Sequence, residues 1–250
     1  MSNASSWRVF RDTNLQSPAW LFKRVVRQEE YKQVLSGAAP RSRTADQILR
    51  RLLWFWPRIG AAGVWANAPL GGQLGPQNYL HYEPTRLVKK TLEVIPRNRS
   101  LLELGCNSGS DLDLLRRAGF YELEGMDAGR QALDLFQEEF PETFALVKPE
   151  RDLFQQYLLG RPSKSVDYVY SNGATIELVH PSFPIVKQIC RIARLGVLLD
   201  LSERVNGFPR DYLAQFRRFG FPLWYTDRET HPHPSSQIFI FLNKHLNSPQ

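Results

Sequence analysis

Glu103, Gly105, Asn107 and Gly109 occupy alternate positions in Leu101-Leu-Glu-Leu-Gly-Cys-Asn-Ser-Gly-Ser110, between an apolar run and a polar, helix-forming one. An acid at the end of a buried strand, followed by a turn of small residues, sets a carboxylate beside accessible backbone. Ligands of open α/β sheets gather at such strand ends. Gly105 and Gly109 permit positive φ and close approach to the main chain, and Asn107 also tolerates a left-handed conformation. A nicotinamide fingerprint needs glycines at 105, 107 and 110, and only Gly105 fits. A second acid closes Glu124-Gly-Met-Asp127, 18 residues beyond Gly109. One helix and one strand fill that interval, placing Asp127 at the next strand end, where a carboxylate accepts hydrogen bonds from both hydroxyls of a ribose.

S-adenosyl-L-methionine matches this set of groups. It lacks the pyrophosphate that would settle on a helix N-terminus, and carries an ammonium, a carboxylate and a ribose instead. Glu103 suits its cationic side, directly or through water, and Asp127 its ribose. Cys106 and Ala128 belong to the same two turns. The competing reading is an ordinary strand-to-helix turn with Asp127 as a helix cap; two acids in register on neighbouring strands weigh against it.

The elements that must position these residues follow from periodicity. Helix Thr85–Val94 precedes strand Ser100–Leu104, and helix Asp111–Ala118 closes at Gly119. Strand Glu122–Met126, helix Arg130–Glu139, a short strand at Phe144–Val147 and helix Arg151–Leu158 come next. Strand Val166–Tyr170, helix Ile185–Ile192, strand Gly196–Leu201 and helix Arg210–Phe219 lead to two last strands, Leu223–Thr226 and Gln237–Leu242. Alternation of this kind predicts an α/β fold with a mainly parallel sheet covered on both faces. The final two strands lack a crossover helix and should run antiparallel. Before this domain, predicted as 76–250, lies a basic, aromatic-rich helical extension, 1–75, with helical patterns in Pro18–Leu35 and Thr44–Phe55. Thr44 and Gln47 there have the spacing of a capping box.

Leu102–Ser110 resembles the first signature motif of class I S-adenosylmethionine-dependent methyltransferases, and is most similar to a bacterial small-molecule or glycan-associated subset reading Glu-Leu-Gly-Cys-Asn-Ser-Gly. The similarity continues through Gly125-Met-Asp127, Phe140-Pro141, Ile176-Glu-Leu-Val-His-Pro-Ser182, Ala193–Leu201, Phe208-Pro-Arg-Asp-Tyr212 and Gly220-Phe221. It thus spans roughly residues 75–242, and leaves the first 70 without a counterpart. The resemblance implies a Rossmann-like seven-stranded sheet of order 3-2-1-4-5-7-6 with the last strand antiparallel. It also implies that Ser171 and Asn172 flank the transferred methyl group and that Glu150–Leu153 lies near the adenine. In that subset the segment after the fourth strand reads Glu-His-x-His-Pro; here Leu178 replaces the first histidine.

Methyl transfer from a sulfonium makes modest demands on side chains, since in-line positioning supplies much of the rate. His180 is the leading general-base candidate, able to titrate near neutrality, unless it merely bonds backbone beside Pro181. Glu177 either orients an acceptor or caps a helix. Tyr79, His81 and Tyr82 precede the first helix of the domain and read either as a lid over the cofactor and acceptor or as exposed loop aromatics. His231-Pro-His233-Pro lacks acidic or cysteine companions and is a poor metal ligand set, so no metal is expected.

Bulk properties narrow the partners. Residues 1–100 hold 16 Lys/Arg against 6 Asp/Glu, a net +10, while 101–250 hold 16 against 19, a net −3. An electrostatic partner is therefore sought at the N-terminal end. Nucleic acid is the second choice there, because no recognisable RNA- or DNA-binding module accompanies the charge. Strand four ends Tyr170-Ser-Asn-Gly173, without the Asp/Asn-Pro-Pro-aromatic tetrapeptide of amino-methylating DNA enzymes. Leu52-Leu-Trp-Phe-Trp56, after Arg50-Arg51, reads as a packed helix face, an acceptor pocket or a peripheral membrane anchor. Apolar runs are too short to span a bilayer, and Met1–Arg8 lacks the order of a signal peptide. Cys106 and Cys190 have no ligand spacing and read as buried thiols of a cytoplasmic protein. The expected function is methyl transfer to a small-molecule or glycan-type acceptor; a non-catalytic, partner-binding relative of the fold is the alternative from another class.

Overall fold

The computed structural model describes residues 75–172, 176, 179, 183–201, 211–228 and 236–244. The helical patterns of the extension, the Trp-rich segment, Glu177, Leu178, His180 and the His231/His233 pair lie outside the described residues.

Apolar residues at helical spacing bury α1 (Arg86–Val94) through Leu87, Val88 and Thr91. Thr85 caps it, its hydroxyl accepting the Val88 N–H at 3.2 Å. Strand β1 (Leu101–Leu104) is buried throughout, as a strand covered on both faces must be. There follow α2 (Ser110–Arg117), β2 (Leu123–Asp127), α3 (Arg130–Glu139), α4 (Pro141–Val147), β3 (Glu150–Arg151), α5 (Phe154–Gly160) and β4 (Val166–Asn172). Helix α6 (Ile185–Ile192), β5 (Ala193–Leu201), α7 (Tyr212–Arg218), β6 (Leu223–Thr226) and β7 (Gln237–Leu242) complete the domain.

The seven strands stand in the order β3-β2-β1-β4-β5-β7-β6. Pairs from β3 to β5 are parallel, and β7 runs antiparallel to both β5 and β6, as the missing crossover helix requires. Two expected elements are corrected. The helix expected from Arg151 begins at Phe154, because Arg151 pairs with Asp127 in a strand. Phe144–Val147 is not the third strand but the end of α4, which starts at Pro141, where proline's fixed φ suits a first helical turn. Thr143 and Val147, four residues apart, are its buried positions; a short apolar run cannot distinguish this spacing from a strand. The true third strand is two residues long, and pairs Glu150 and Arg151 with Met126 and Asp127.

Two cores flank the sheet. Leu102, Leu104, Met126, Val169, Val197 and Leu199 face the side of α5, α6 and α7. Leu101, Leu123, Tyr168, Tyr170 and Leu198 face that of α1, α2 and α3. Side chains alternate along a strand, so this division assigns every polar residue at the carboxyl ends to a face. Glu103, Asp127, Tyr170, Asn172 and Asp200 all share the face of α1, α2 and α3.

Candidate functional site

The turn after β1 is the left-handed one its residues allow: φ is +78° at Gly105, +46° at Asn107 and +75° at Gly109. Gly109 has a second constraint. A Cβ there would lie 2.1 Å from the Phe136 ring, so neither the backbone nor the neighbour admits a side chain. The amides of Gly105 and Cys106 both donate to the Met126 carbonyl, at 2.9 and 3.0 Å, and lock the turn against the end of β2. The Cys106 side chain turns into the core: it is buried, its Sγ lies 3.2 Å from the position of a Cβ on Gly125, and burial pushes its thiol well up.

Asp127 ties the two turns together. Its Oδ2 accepts the Asn107 N–H at 3.0 Å and its Oδ1 the Gly129 N–H at 2.7 Å. A carboxylate offers about four acceptor positions, so acceptor capacity remains for a ligand's hydroxyls. Burial raises its pKa, and backbone donors from Gly129, Asn107 and Ala128 oppose that shift. Glu103 is only 3% exposed, and its Oε2 has no hydrogen-bond partner among the described residues. Burial, then the nearby Asp111 and Asp127 charges, hold its carboxyl well above the ordinary range. The Oδ1 of Asn107 is buried and unpartnered as well. Buried polar atoms are nearly always satisfied, so two unsatisfied ones around one turn, among the described residues, are what a ligand site presents before its ligand.

Beside the turn stands a carboxylate that the sequence patterns did not single out as functional. Asp111, in the first turn of α2, is 3% exposed, yet four side chains converge on it. Its Oδ1 faces His81 Nε2 at 3.1 Å and the Thr85 hydroxyl at 3.5 Å. Its Oδ2 accepts from the Tyr170 hydroxyl and from Asn172 Nδ2, the latter at 2.7 Å. A helix N-terminus favours an acid, and that was the one local signal available. The partners come from elements 26 to 61 residues away.

His81 is therefore brought to the site. Its amide donates to Ser110 Oγ at 3.0 Å, and its Nδ1 lies 3.1 Å from the Glu83 carbonyl while Nε2 faces Asp111. With an acceptor at each ring nitrogen, the doubly protonated ring fits best, and the Asp111 bond accordingly raises its pKa. Tyr82 goes elsewhere: its hydroxyl donates to Glu139 Oε2 at 2.9 Å and its ring meets Phe140 edge-on. Tyr79 is partly exposed in the 3-10 turn Pro76–Tyr79. Ser171 and Asn172 part company, as successive strand residues must. Ser171 Oγ donates to the Leu104 carbonyl at 3.0 Å, whereas Asn172 joins the Asp111 cluster. The Ala128 carbonyl lies 3.5 Å from Arg151 Nε. Although Glu177 and His180 are not described, Ile176 and Val179 beside them are buried in the α5–α7 core.

A Rossmann-like sheet of this order, with a left-handed glycine turn after β1 and an acid at the end of β2, already limits the family. The profile of a methyltransferase domain matches residues 77–237. This chain belongs to the methyltransferase-domain family. With the family come the activity and its methyl donor, S-adenosyl-L-methionine. No curated protein matches the chain.

Solved methyltransferases share the domain's fold at low identity. A TehB-like S-adenosylmethionine-dependent methyltransferase from Corynebacterium glutamicum superposes with a TM-score of 0.52 at 16% identity, covering 63% of this chain and 87% of that one. Magnesium protoporphyrin IX methyltransferase from Synechocystis, solved with bound S-adenosylhomocysteine, gives 0.50 at 14% identity over 67% and 91%. The cyclase SpnF gives 0.51 at 13% identity over 63% and 80%.

Proposed function

We propose that this methyltransferase moves a methyl group from S-adenosyl-L-methionine to a small-molecule or glycan-type acceptor by in-line displacement, with residues 76–250 as the catalytic domain and 1–75 as its extension. The observation that carries the site is the pair Glu103 and Asp127 across the left-handed turn, with Glu103 Oε2 and Asn107 Oδ1 left unpartnered.

These groups fit the donor chemically. A buried, unsatisfied carboxylate at Glu103 answers the cationic amino end, and binding a cation there favours the charged carboxylate. Asp127, fixed by two backbone N–H bonds, keeps acceptor positions for ribose hydroxyls. When bound, the donor supplies an electrophilic methyl on sulfur and a neutral thioether leaving group. The chain's own contribution is orientation and exclusion of water. Asn172, held by Asp111 and Thr85, marks the end of β4 with a fixed amide. His180 as base, and Glu177 as an orienting acid, belong to the same proposal, since both stand in the segment that leaves that strand end.

Calorimetric titration with S-adenosylhomocysteine tests the site. Asp127→Ala should weaken binding by at least about a hundredfold, equivalent to two hydrogen bonds to a charged group. Unchanged affinity in that variant would sink the assignment. A folded parent that binds neither the donor nor its product would shift the reading to a non-catalytic partner-binding protein. The likeness to a cyclase is a reminder that this fold alone does not dictate chemistry.

A further inference from the structure

We propose that Asp200 anchors a cationic amine of the methyl acceptor, an inference that rests on the methyltransferase reading above. Asp200 lies at the carboxyl end of β5, in register with Asn172 at the end of β4. Both share the sheet face on which Glu103 and Asp127 stand, on the β5 side of the cofactor turn. Its side chain is 11% exposed.

The bonding among the described residues leaves it under-neutralised. Among the described residues Arg86 is the cation in reach, at 3.3 Å from Asp200 Oδ2, but the same guanidinium makes its shorter contact, 2.8 Å, with Asp227 Oδ2. Arg86 also donates to the Ser236 hydroxyl at 3.1 Å and faces the Ser236 carbonyl at 3.4 Å. Asp200 Oδ1 has no hydrogen-bond partner among the described residues. A buried carboxylate with one oxygen unpaired is costly. Burial raises the Asp200 pKa despite opposing contributions from Ser236 and Arg86. A hydroxyl would satisfy the oxygen, whereas an ammonium would satisfy both the oxygen and the charge, with the stronger, charge-assisted bond. The subsite therefore selects acceptors bearing an amine. The anchored nitrogen need not be the one methylated.

The full-length protein, saturated with S-adenosylhomocysteine, is titrated with D-glucosamine against D-glucose and with ethanolamine against ethylene glycol, followed by thermal shift and ligand-observed NMR. The amine of each pair should bind at least about tenfold more tightly, the value of one charged hydrogen bond. Asp200→Asn should erase that preference while leaving S-adenosylhomocysteine affinity intact. Equal binding of amine and alcohol, or no amine binding at all, would overturn the proposal without needing the variant. A preference that survives Asp200→Asn would overturn it too, and so would a variant that loses the cofactor product, since Asp200 would then belong to the cofactor site. If the parent fails to bind S-adenosylhomocysteine, the methyltransferase site itself is wrong.

Discussion

The two ends of the sheet differ in what their charged groups lack. At the amino ends of β1, β2, β4 and β5 lies a cavity of about 420 Å³ lined by Ser100, Glu122, Glu124, Lys164, Asp167 and Arg194 among others. Most of its charged groups are bonded. Asp167 takes Arg194 and Arg99, Arg161 holds Glu124 through two nitrogens, and Lys164 Nζ donates to the Cys190 and Ala193 carbonyls. Among the described residues, the Ser165 hydroxyl and the Arg161 Nε are buried nearby without a hydrogen-bond partner. At the carboxyl ends, by contrast, the atoms unpartnered among the described residues include two carboxylate oxygens, Glu103 Oε2 and Asp200 Oδ1, together with Asn107 Oδ1. The amino end has room for a ligand, and the carboxyl end has unmet bonding capacity among the described residues. Leaving a buried carboxylate oxygen unmet is costly, and that cost is what supports placing the proposed site at the carboxyl ends.

The sharpest way to break the carboxyl end is Gly109→Ala. The added Cβ meets the Phe136 ring at 2.1 Å and the backbone sits at φ +75°. Strain and overpacking together should cost about 3 kcal/mol, measured by urea unfolding, with S-adenosylhomocysteine binding lost in parallel. Asp111→Ala should come close behind. It removes the acceptor of the Tyr170 hydroxyl and the shorter of the two bonds of the Asn172 amide in a buried setting, for a loss of roughly 2–3 kcal/mol. A variant as stable as the parent would show that the cluster is not bonded as described.

Asp167→Ala sharpens the contrast from the other end. Its partners Arg194 and Arg99 are 51% and 42% exposed and rehydrate readily, so stability should fall by only about 1 kcal/mol. Cofactor affinity should not move; a tenfold change would mean the two ends are coupled.

The smallest effect is a pH dependence at His81. Its folded pKa is raised above the ordinary 6.5 by the Asp111 bond, so the folded state binds the proton more tightly than the unfolded chain. That stabilisation is complete below the unfolded value and disappears as pH rises through the folded one. The difference in Tm between parent and His81→Gln should therefore be largest under mildly acidic conditions and shrink above neutrality. A difference independent of pH would assign His81 a packing role.

Local rules carried the reading of the glycine turn after β1 and of most elements. The strand-turn-helix order, the left-handed Gly105, Asn107 and Gly109, the cap at Thr85 and the antiparallel close of the sheet all depend on residues near one another in the chain. The helix at Phe144–Val147 escaped because an apolar run of that length satisfies either periodicity, and packing against Phe136, at 5.4 Å between ring centres, decided it. Asp111 escaped for a different reason. As a first-turn acid it looks like any helix-dipole partner, and nothing in its spacing points to His81, Tyr170 or Asn172.

The sequence by itself determined which strand ends carry acids and where the backbone could turn left-handed, since both follow from residue type and a period of two or 3.6. Only the tertiary structure decided which of those acids share a face, which are satisfied and which are left wanting. That outcome depends on sheet order and on partners far apart in the chain: Arg86 with Asp200 and Asp227, and His81 with Asp111. The physical reason is that hydrogen bonding and charge neutralisation act over a few ångströms in space, whatever the separation along the chain.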